Sequence, residues 1–345
     1  MNRRAVTMTD VARAAGVSTM TVSNVINGRS QRVSEATRQR VLETIEELGY
    51  QVNVAARQLR VGRTGTVGLA VPDFDSGYFS ELADRLAARL GDHGLRLIME
   101  RTGGSRSAEL DTLTTARLSS YDGFVLSVVA GDRDDLERLR IDTPVVLIGE
   151  RAVPARFDHV LMDNVDGARQ ATELLLRTGA RRIVLLGGRS SRRQTMAALR
   201  TTGYRRAHAD AGLPVHPELI VPASLRVADG HRAVQELIAA KIDFDAVFAL
   251  TDAAGYGVLR ALADAGIGVP DQVQVIGFDN LRTSAHTIPA LTSVEPDNEA
   301  MADAICELLI ERIAQGSTPA PARVVMPAAT IAHRASTRPG NLPVP

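Results

Sequence analysis

Two hydrophobic patterns divide this chain near position 65. Before it, apolar residues recur every three or four positions, which is the spacing of amphipathic α-helices. After it, short continuous apolar runs alternate with longer amphipathic stretches, a pattern typical of buried parallel strands connected by helices. The sequence therefore predicts a small all-α N-terminal domain followed by a larger α/β region.

The first two predicted helices form a helix-turn-helix over residues 6–27. Thr7 is placed to cap the first helix, with Asp10 as its partner in a near-capping box. Gly16 makes the turn, and Ser18 caps the second helix. Apolar side chains can face the core, namely Val22, Val25 and Ile26. The open side of this helix can then meet base edges through Thr19, Met20, Ser23 and Asn24.

A third helix is predicted to begin near Ser34 and to stop at Gly49. Four apolar residues share one of its faces: Val41, Leu42, Ile45 and Leu48. A short helix from Asn53 to Leu59 comes next, and a plain linker is the alternative because so short a helix is marginal alone. We therefore predict a headpiece over 1–50 and a hinge helix with its linker over 51–65.

The larger region contains two successive sets of apolar runs. The first set is 67–71, 95–99, 123–127 and 144–148, and the second is 183–187, 246–250 and 273–277. Two such sets predict two doubly wound parallel sheets, with a cleft between the two lobes. The bilobed core is placed at 66–337, and residues 338–345, with three prolines, are predicted to be disordered.

Charge is distributed unevenly between the two regions. The whole chain has 40 Lys and Arg residues and 40 acidic residues, for a formal net charge of zero. Residues 1–63 carry ten Arg and five acidic residues, a balance of +5, so the remainder carries −5. A basic head on an acidic body favours DNA binding through the head alone.

The chain lacks the residues that several classes of protein require. Cys306 is the only cysteine, which excludes a disulfide framework and a CxxC redox pair, and its helical surroundings predict a buried thiol. Metal-binding His spacing, a GxGxxG loop and a catalytic set are missing, so we predict no enzyme, no cofactor and no metal. No apolar run approaches the ~20 residues of a membrane helix. Because the start also lacks a signal-peptide core, we expect a cytoplasmic protein without a membrane partner.

The helix-turn-helix resembles the headpiece of the LacI family of bacterial transcription regulators. The resemblance is carried by the runs VTMTDVA at 6–12, AGVS at 15–18, TVS at 21–23 and VIN at 25–27. Asn53, Ala56, Arg57 and Leu59 match the family's hinge helix, which folds on operator DNA and wedges a leucine into the minor groove. Leu59 is the matching leucine, whereas Val52 stands where the family usually has proline.

The predicted DNA contacts combine the helix-turn-helix with this hinge. They are Thr7, Ser18, Thr19, Met20, Thr21, Ser23, Asn24, Asn27, Arg32, Asn53, Ala56, Arg57 and Leu59.

The predicted ligand contacts lie where core strands end. Tyr78 and Phe79, after the first strand, can stack on a sugar face or a planar base, although Phe79 filling the core is an equal alternative. The family resemblance implies ligand roles for Arg200 and Asp279, and an Arg fork facing carboxylates suits the hydroxyls of a polyol. The predicted effector contacts are Asp75, Tyr78, Phe79, Glu150, Gln194, Met196, Arg200, Leu225, Thr251, Asp252, Asp279 and Asn298.

Departures from the family favour a polar effector. Leu225 and Asn298 stand at positions that are aromatic in family members, and Glu150 adds a carboxylate. We therefore expect a sugar rather than a purine.

The sequence predicts a homodimeric repressor that binds a pseudopalindromic double-stranded DNA operator and is controlled by a sugar bound between the lobes. An activator, or a corepressor-dependent regulator with a non-sugar ligand, fits the same residues. A solute-binding protein for transport would need a signal peptide and no headpiece, and both features oppose it.

Overall fold

The structure is a computed structural model that describes residues 6–26, 33–50, 63–151, 154, 156–189, 191, 194–316 and 320–339. The chain separates into two compact units, Met1–Thr64 and Gly65–Pro345. Most of the predicted hinge, residues 51–62, and the end of the predicted tail, residues 340–345, lie outside the described residues.

The N-terminal unit contains three helices, α1 (Met8–Ala15), α2 (Thr19–Ile26) and α3 (Glu35–Leu48). The capping box that the sequence predicts is present: the Asp10 N–H donates to Thr7 Oγ1 at 3.3 Å, and the Thr7 N–H donates to Asp10 Oδ2 at 3.0 Å. Ser18 Oγ accepts the Thr21 N–H at 3.1 Å and so caps α2. The helices bury a small apolar core of Val11, Ala12, Ala15, Val22, Val25 and Val41.

The predicted apolar face of α3 is wrong at two positions. Leu42 and Leu48 are exposed within the described residues, whereas Thr44 is buried. The buried face is centred on Val41 and Thr44, and Leu42 lies a further 100° around the helix. The Thr44 hydroxyl donates to the Arg40 carbonyl at 2.8 Å, so burying this polar group leaves it hydrogen-bonded.

Two six-stranded sheets form the second unit. Strands of the first sheet are β1 (Thr66–Val71), β2 (Arg96–Arg101), β3 (Gly123–Ser127), β4 (Val145–Ile148), β5 (Asp158–Val160) and β11 (Val324–Val325). Those of the second are β6 (Ile183–Leu186), β7 (Ile220–Val221), β8 (Ala246–Ala249), β9 (Gln274–Phe278), β10 (Thr292–Glu295) and β12 (Thr330–Ala332). The first sheet has the strand order β11-β5-β4-β3-β1-β2, and all of its pairs are parallel. The second has the order β12-β10-β9-β8-β6-β7, with β12 antiparallel to β10.

Helices accompany both sheets, so the predicted pair of doubly wound lobes is confirmed. The first lobe has α4 (Gly77–Asp92), α5 (Arg106–Thr112), α6 (Thr115–Leu118), α7 (Arg133–Glu137) and α12 (Asn298–Gln315). The second lobe has α8 (Asn164–Arg177), α9 (Met196–Asp210), α10 (Val227–Ala239) and α11 (Asp252–Asp264). Among the described helices, none has both the length and the apolar character needed to cross a bilayer.

Each lobe is built from discontinuous parts of the chain. After β10 the chain returns to the first lobe, where α12 packs into the core and β11 joins β5. Cys306 on α12 is buried and free, as predicted. The chain then crosses again to add β12 to the second sheet. The Arg338 N–H donates to Gln274 Oε1 at 2.9 Å, which extends the ordered core past the predicted end at 337.

The close approach of α10 and α11 requires glycine. A Cβ at Gly257 would lie 2.0 Å from the Val227 carbonyl oxygen and 2.6 Å from the His231 nitrogen, and both are backbone atoms. The two helices must therefore move apart to accept any side chain there.

We expect Gly257→Ala to lower the free energy of unfolding by about 1–3 kcal/mol through overpacking. Gly91→Ala in α4 is the matched control, because its added Cβ meets no atom within 4 Å. The control should instead raise stability by roughly 0.5–1 kcal/mol, since alanine favours a helix. Urea unfolding of the full chain measures both values, and equal effects would contradict the packing argument.

Candidate ligand-binding cleft and nucleic-acid interface

A cavity of about 490 Å³ opens between the two lobes, at the carboxyl ends of strands from both sheets. This is where open α/β sheets bind ligands, and the volume is within the range of small-molecule sites. Its apolar wall includes Pro72, Phe79, Val128, Val129, Ile148, Met162, Met196, Leu225 and Met301. Its polar and charged lining includes Ser76, Tyr78, Ser127, Glu150, Arg151, Arg189, Thr195, Arg200, Ser224, Thr251 and Asp279.

Helix starts bring several of these residues to the cavity. Thr195 caps α9 by accepting the Ala198 N–H at 3.2 Å, and Thr251 caps α11 by accepting the Ala254 N–H at 3.2 Å. In a parallel sheet each helix that follows a strand starts at the carboxyl edge, so these caps face the same cleft.

Arg200 is the buried cation of the site. Its Nε donates to Asn164 Oδ1 at 2.7 Å, and a second nitrogen donates to the Leu250 carbonyl. Its third nitrogen lies 3.6 Å from Asp279 Oδ1. The guanidinium also lies over the Phe278 ring, with 3.4 Å between Cζ and the ring centroid. Burial lowers the pKa of Arg200, and the nearby carboxylates oppose that shift.

Asp279 is held in an unusual backbone conformation beside this cation. Its φ is 112°, a backbone angle that residues other than glycine rarely adopt. Asn298 Nδ2 donates a hydrogen bond to the Asp279 backbone carbonyl at 2.8 Å. Burial raises the pKa of Asp279 well above the ordinary aspartate value. The charges of Asp252 and Glu150 add to this effect, whereas Arg200 opposes it.

Asp252 supports the turn that carries Asp279. Its Oδ2 accepts the Leu281 N–H at 2.8 Å and the Ser284 hydroxyl at 2.5 Å, and its Oδ1 accepts the Ser293 hydroxyl at 2.5 Å. Burial also raises the pKa of Asp252, against the effect of these hydrogen bonds. Neither Asp252 nor these three partners line the cavity, so Asp252 supports the site without forming its wall.

The first lobe contributes a carboxylate and two aromatic rings. Glu150 Oε1 accepts a hydrogen bond from Asn164 Nδ2 at 3.1 Å, which links the two lobes. Tyr78 and Phe79 begin α4 and pack edge to face, with ring centroids 5.1 Å apart. Burial raises the pKa of Tyr78, and the charges of Asp279 and Glu150 add to this shift.

The structure brings most of the predicted effector residues together. The cavity wall includes Tyr78, Phe79, Glu150, Met196, Arg200, Leu225, Thr251 and Asp279. Four predicted contacts lie elsewhere: Asp75, Gln194, Asp252 and Asn298. Asp75 forms an exposed ion pair with Arg226 of the second lobe, at 3.4 Å. Gln194 is exposed. Asp252 accepts the Leu281 N–H and Asn298 donates to the Asp279 carbonyl, so both stabilise the turn that carries Asp279.

Asn164 is not among the residues predicted from the sequence, although it bonds both Glu150 and Arg200. Asn164 follows the short strand β5. This strand contains the polar residues Asp158 and His159, so it does not form an apolar run that the sequence pattern would indicate. Had β5 been recognised, a polar side chain just beyond its carboxyl end would have indicated a site residue.

The open side of α2 is the candidate nucleic-acid interface. Met20 is 69% exposed and Thr19 is also exposed, while Asn24 is half-buried. Ser18 caps the helix start by accepting the Thr21 N–H, and 2.9 Å separates the hydroxyl oxygens of these two residues.

Ser23 does not belong to that open side, because it is buried. It lies 100° around the helix from Val22, at the edge of the arc that packs into the core. The predicted contacts Asn27, Arg32, Asn53, Ala56, Arg57 and Leu59 lie outside the described residues.

Two segments of the chain match known families. Residues 7–53 match the family described as bacterial regulatory proteins, lacI family. Residues 172–337 match the periplasmic binding protein-like domain.

Similar whole proteins are also regulators. The chain is 36% identical over 340 residues to the HTH-type transcriptional regulator CelR of Thermobifida fusca, covering 94% of this chain and 96% of that protein. The solved transcriptional regulator CelR–cellobiose complex is 32% identical with a TM-score of 0.67, covering 96% of this chain and 99% of that one. A LacI-type transcription regulator from Bifidobacterium animalis subsp. lactis DSM 10140 is 30% identical with a TM-score of 0.72, covering 79% and 99%.

The raised pKa of Asp279 makes stability depend on pH. The folded protein keeps this proton at pH values where the unfolded chain, with an aspartate pKa of about 3.9, has released it. The free energy of unfolding should therefore fall as pH rises from about 4 towards the raised value. Asp279→Asn should make that fall smaller in urea titrations at several pH values. The exposed aspartate variant Asp243→Asn should keep the parental slope, and a parental slope in Asp279→Asn would contradict the assignment.

Proposed function

Since the chain belongs to the LacI family of bacterial regulatory proteins, we propose that it represses transcription as a homodimer and leaves its operator when a sugar fills the cleft. The chain is a DNA-binding transcriptional regulator and not an enzyme. The observation that carries the proposal is the buried Arg200, which meets Asn164 and Asp279 on the wall of an interlobe cavity.

The chemistry of the cleft supports a sugar as the effector. Arg200 supplies donors, Glu150 and Asp279 supply acceptors, and Tyr78 and Phe79 supply ring faces. Hydroxyls on both sides of a pyranose ring need such a mixture of donors and acceptors. CelR, solved with cellobiose, makes this disaccharide the first sugar to test.

A ligand in this position would couple the lobes. Tyr78 comes from the first lobe and Arg200 from the second, so one ligand touching both would favour a particular angle between them. That differential contact is what an effector in the core needs in order to change the DNA affinity of the headpiece.

One headpiece has a single short recognition helix, which reads only half of an operator. A homodimer on a pseudopalindromic site follows from this. Because its target is bacterial DNA, we place the protein in the cytoplasm.

Asn24→Ala should relax base preference at one position of each half-site. An asparagine can bond adenine through two hydrogen bonds, so its loss should cost ~1–3 kcal/mol at that position. In vitro selection from random duplexes with parent and variant measures this preference. Gln39→Ala on α3 is the control and should keep the parental preference. Superimposable preferences for Asn24→Ala and parent, or selected sites without twofold symmetry, would overturn the assignment.

Arg200→Ala and Asp279→Ala should each abolish sugar binding yet leave operator binding near normal. Both groups face the proposed ligand, and neither belongs to the headpiece. Calorimetry with cellobiose, or with the sugar that most raises the parent's melting temperature, measures the first effect. Operator anisotropy measures the second, with Arg232→Ala, an exposed arginine, as the control. Parental sugar affinity in either variant would refute the site.

A further inference from the structure

The wall segment Val128–Gly131, which follows β3, is held from both sides by charged groups. Three successive backbone N–H groups, those of Val129, Ala130 and Gly131, donate to the Glu109 carboxylate at 3.1, 3.0 and 2.7 Å. The carbonyls of Ala130 and Gly131 accept hydrogen bonds from Arg151 at 3.1 and 3.2 Å. The segment is thereby fixed with the Val128 and Val129 side chains on the cavity wall.

Three consecutive amides converging on one point form an anion-binding nest. In this chain the occupant of the nest is internal, because Glu109 is 1% exposed and its carboxylate fills the concavity. Among the described residues, no Lys, Arg or His lies within ion-pairing distance of that carboxylate. The amide dipoles therefore supply the stabilisation that a buried anion requires.

Glu109 and Arg151 are linked through one shared peptide unit, that between Ala130 and Gly131. Its N–H end donates to the carboxylate, and its C=O end accepts from the guanidinium. This peptide dipole is thus aligned between an anion and a cation, which lowers the energy of both. Arg151 also lines the cleft, and two of its guanidinium nitrogens are engaged by these backbone carbonyls.

We propose that Glu109 is a positioning residue of the cleft: as an internal anion that fills the nest, opposite Arg151 on the neighbouring carbonyls, it fixes the segment that places Val128 and Val129 on the cavity wall. That the positioned wall meets a sugar rests on the proposed function. The occupied nest itself does not depend on it.

Anion rescue tests the proposal. Glu109→Ala empties the nest, so its melting temperature should fall below that of the parent and rise again in a dose-dependent way with inorganic phosphate or acetate. Potassium chloride at equal ionic strength should not restore it. Parent and the control Glu137→Ala, an exposed glutamate of α7, should respond equally to phosphate and chloride. A parent stabilised by phosphate beyond chloride, or a Glu109→Ala variant restored by neither anion, would overturn the proposal.

Hydrogen exchange gives a second measurement, which also serves if Glu109→Ala fails to fold. Glu109→Gln keeps the shape but loses the charge, and Arg151→Ala removes the opposite partner. Both should speed amide exchange in residues 128–132 at least tenfold, while Glu137→Ala should not. Parental exchange rates in residues 128–132 of both variants would refute the proposal. Neither experiment uses DNA or sugar, so a failure of the proposed repressor function would leave these results standing, and the reverse also holds.

Discussion

The guanidinium of Arg200 constrains the rest of the cleft, because a charge at this depth is tolerated only when it is fully surrounded by partners. An unpaired ion there would cost several kcal/mol, more than most single contacts contribute. Its partners come from separate parts of the chain: Asn164 at the start of α8, the Leu250 carbonyl after β8, and Phe278 and Asp279 at the end of β9. The second sheet must therefore bring these strand ends together before Arg200 can be buried.

A continuous polar chain extends this constraint into the first lobe. Glu150 bonds Asn164, Asn164 bonds Arg200, and Arg200 lies beside Asp279. Behind it, Asp252 and Asn298 fix the turn on which Asp279 stands. Under the proposed function, a ligand that replaced a contact in this chain would change the balance between lobe arrangements, as allosteric control requires. The residues behind the wall are thus as necessary as those on it.

The sequence predicts well what depends on local pattern. The run at 123–127 coincides with β3, and the capping residues Thr7 and Ser18 act as their positions indicate. Strand β5 was not predicted, because Asp158 interrupts the apolar pattern. The burial of Asp158 depends on Arg312, which is 154 positions away and whose Nε lies 2.7 Å from Asp158 Oδ2. The same limit applies at the cleft. Sequence locates Asp252 and Asp279 at strand ends, but only packing determines that Asp279 faces the cavity while Asp252 lies beneath the next turn.

The crossing of the chain between lobes has a consequence for biosynthesis. Ribosomes synthesise a protein from its N-terminus. The headpiece, which has its own core, therefore emerges complete while the rest of the chain is still being made. The first sheet must wait for α12 and β11, and the second must wait for β12, whose last residue is Ala332. Neither lobe is therefore whole until nearly the entire message has been translated. A ribosome that stopped before residue 324 would release a finished DNA-binding head joined to two unfinished lobes.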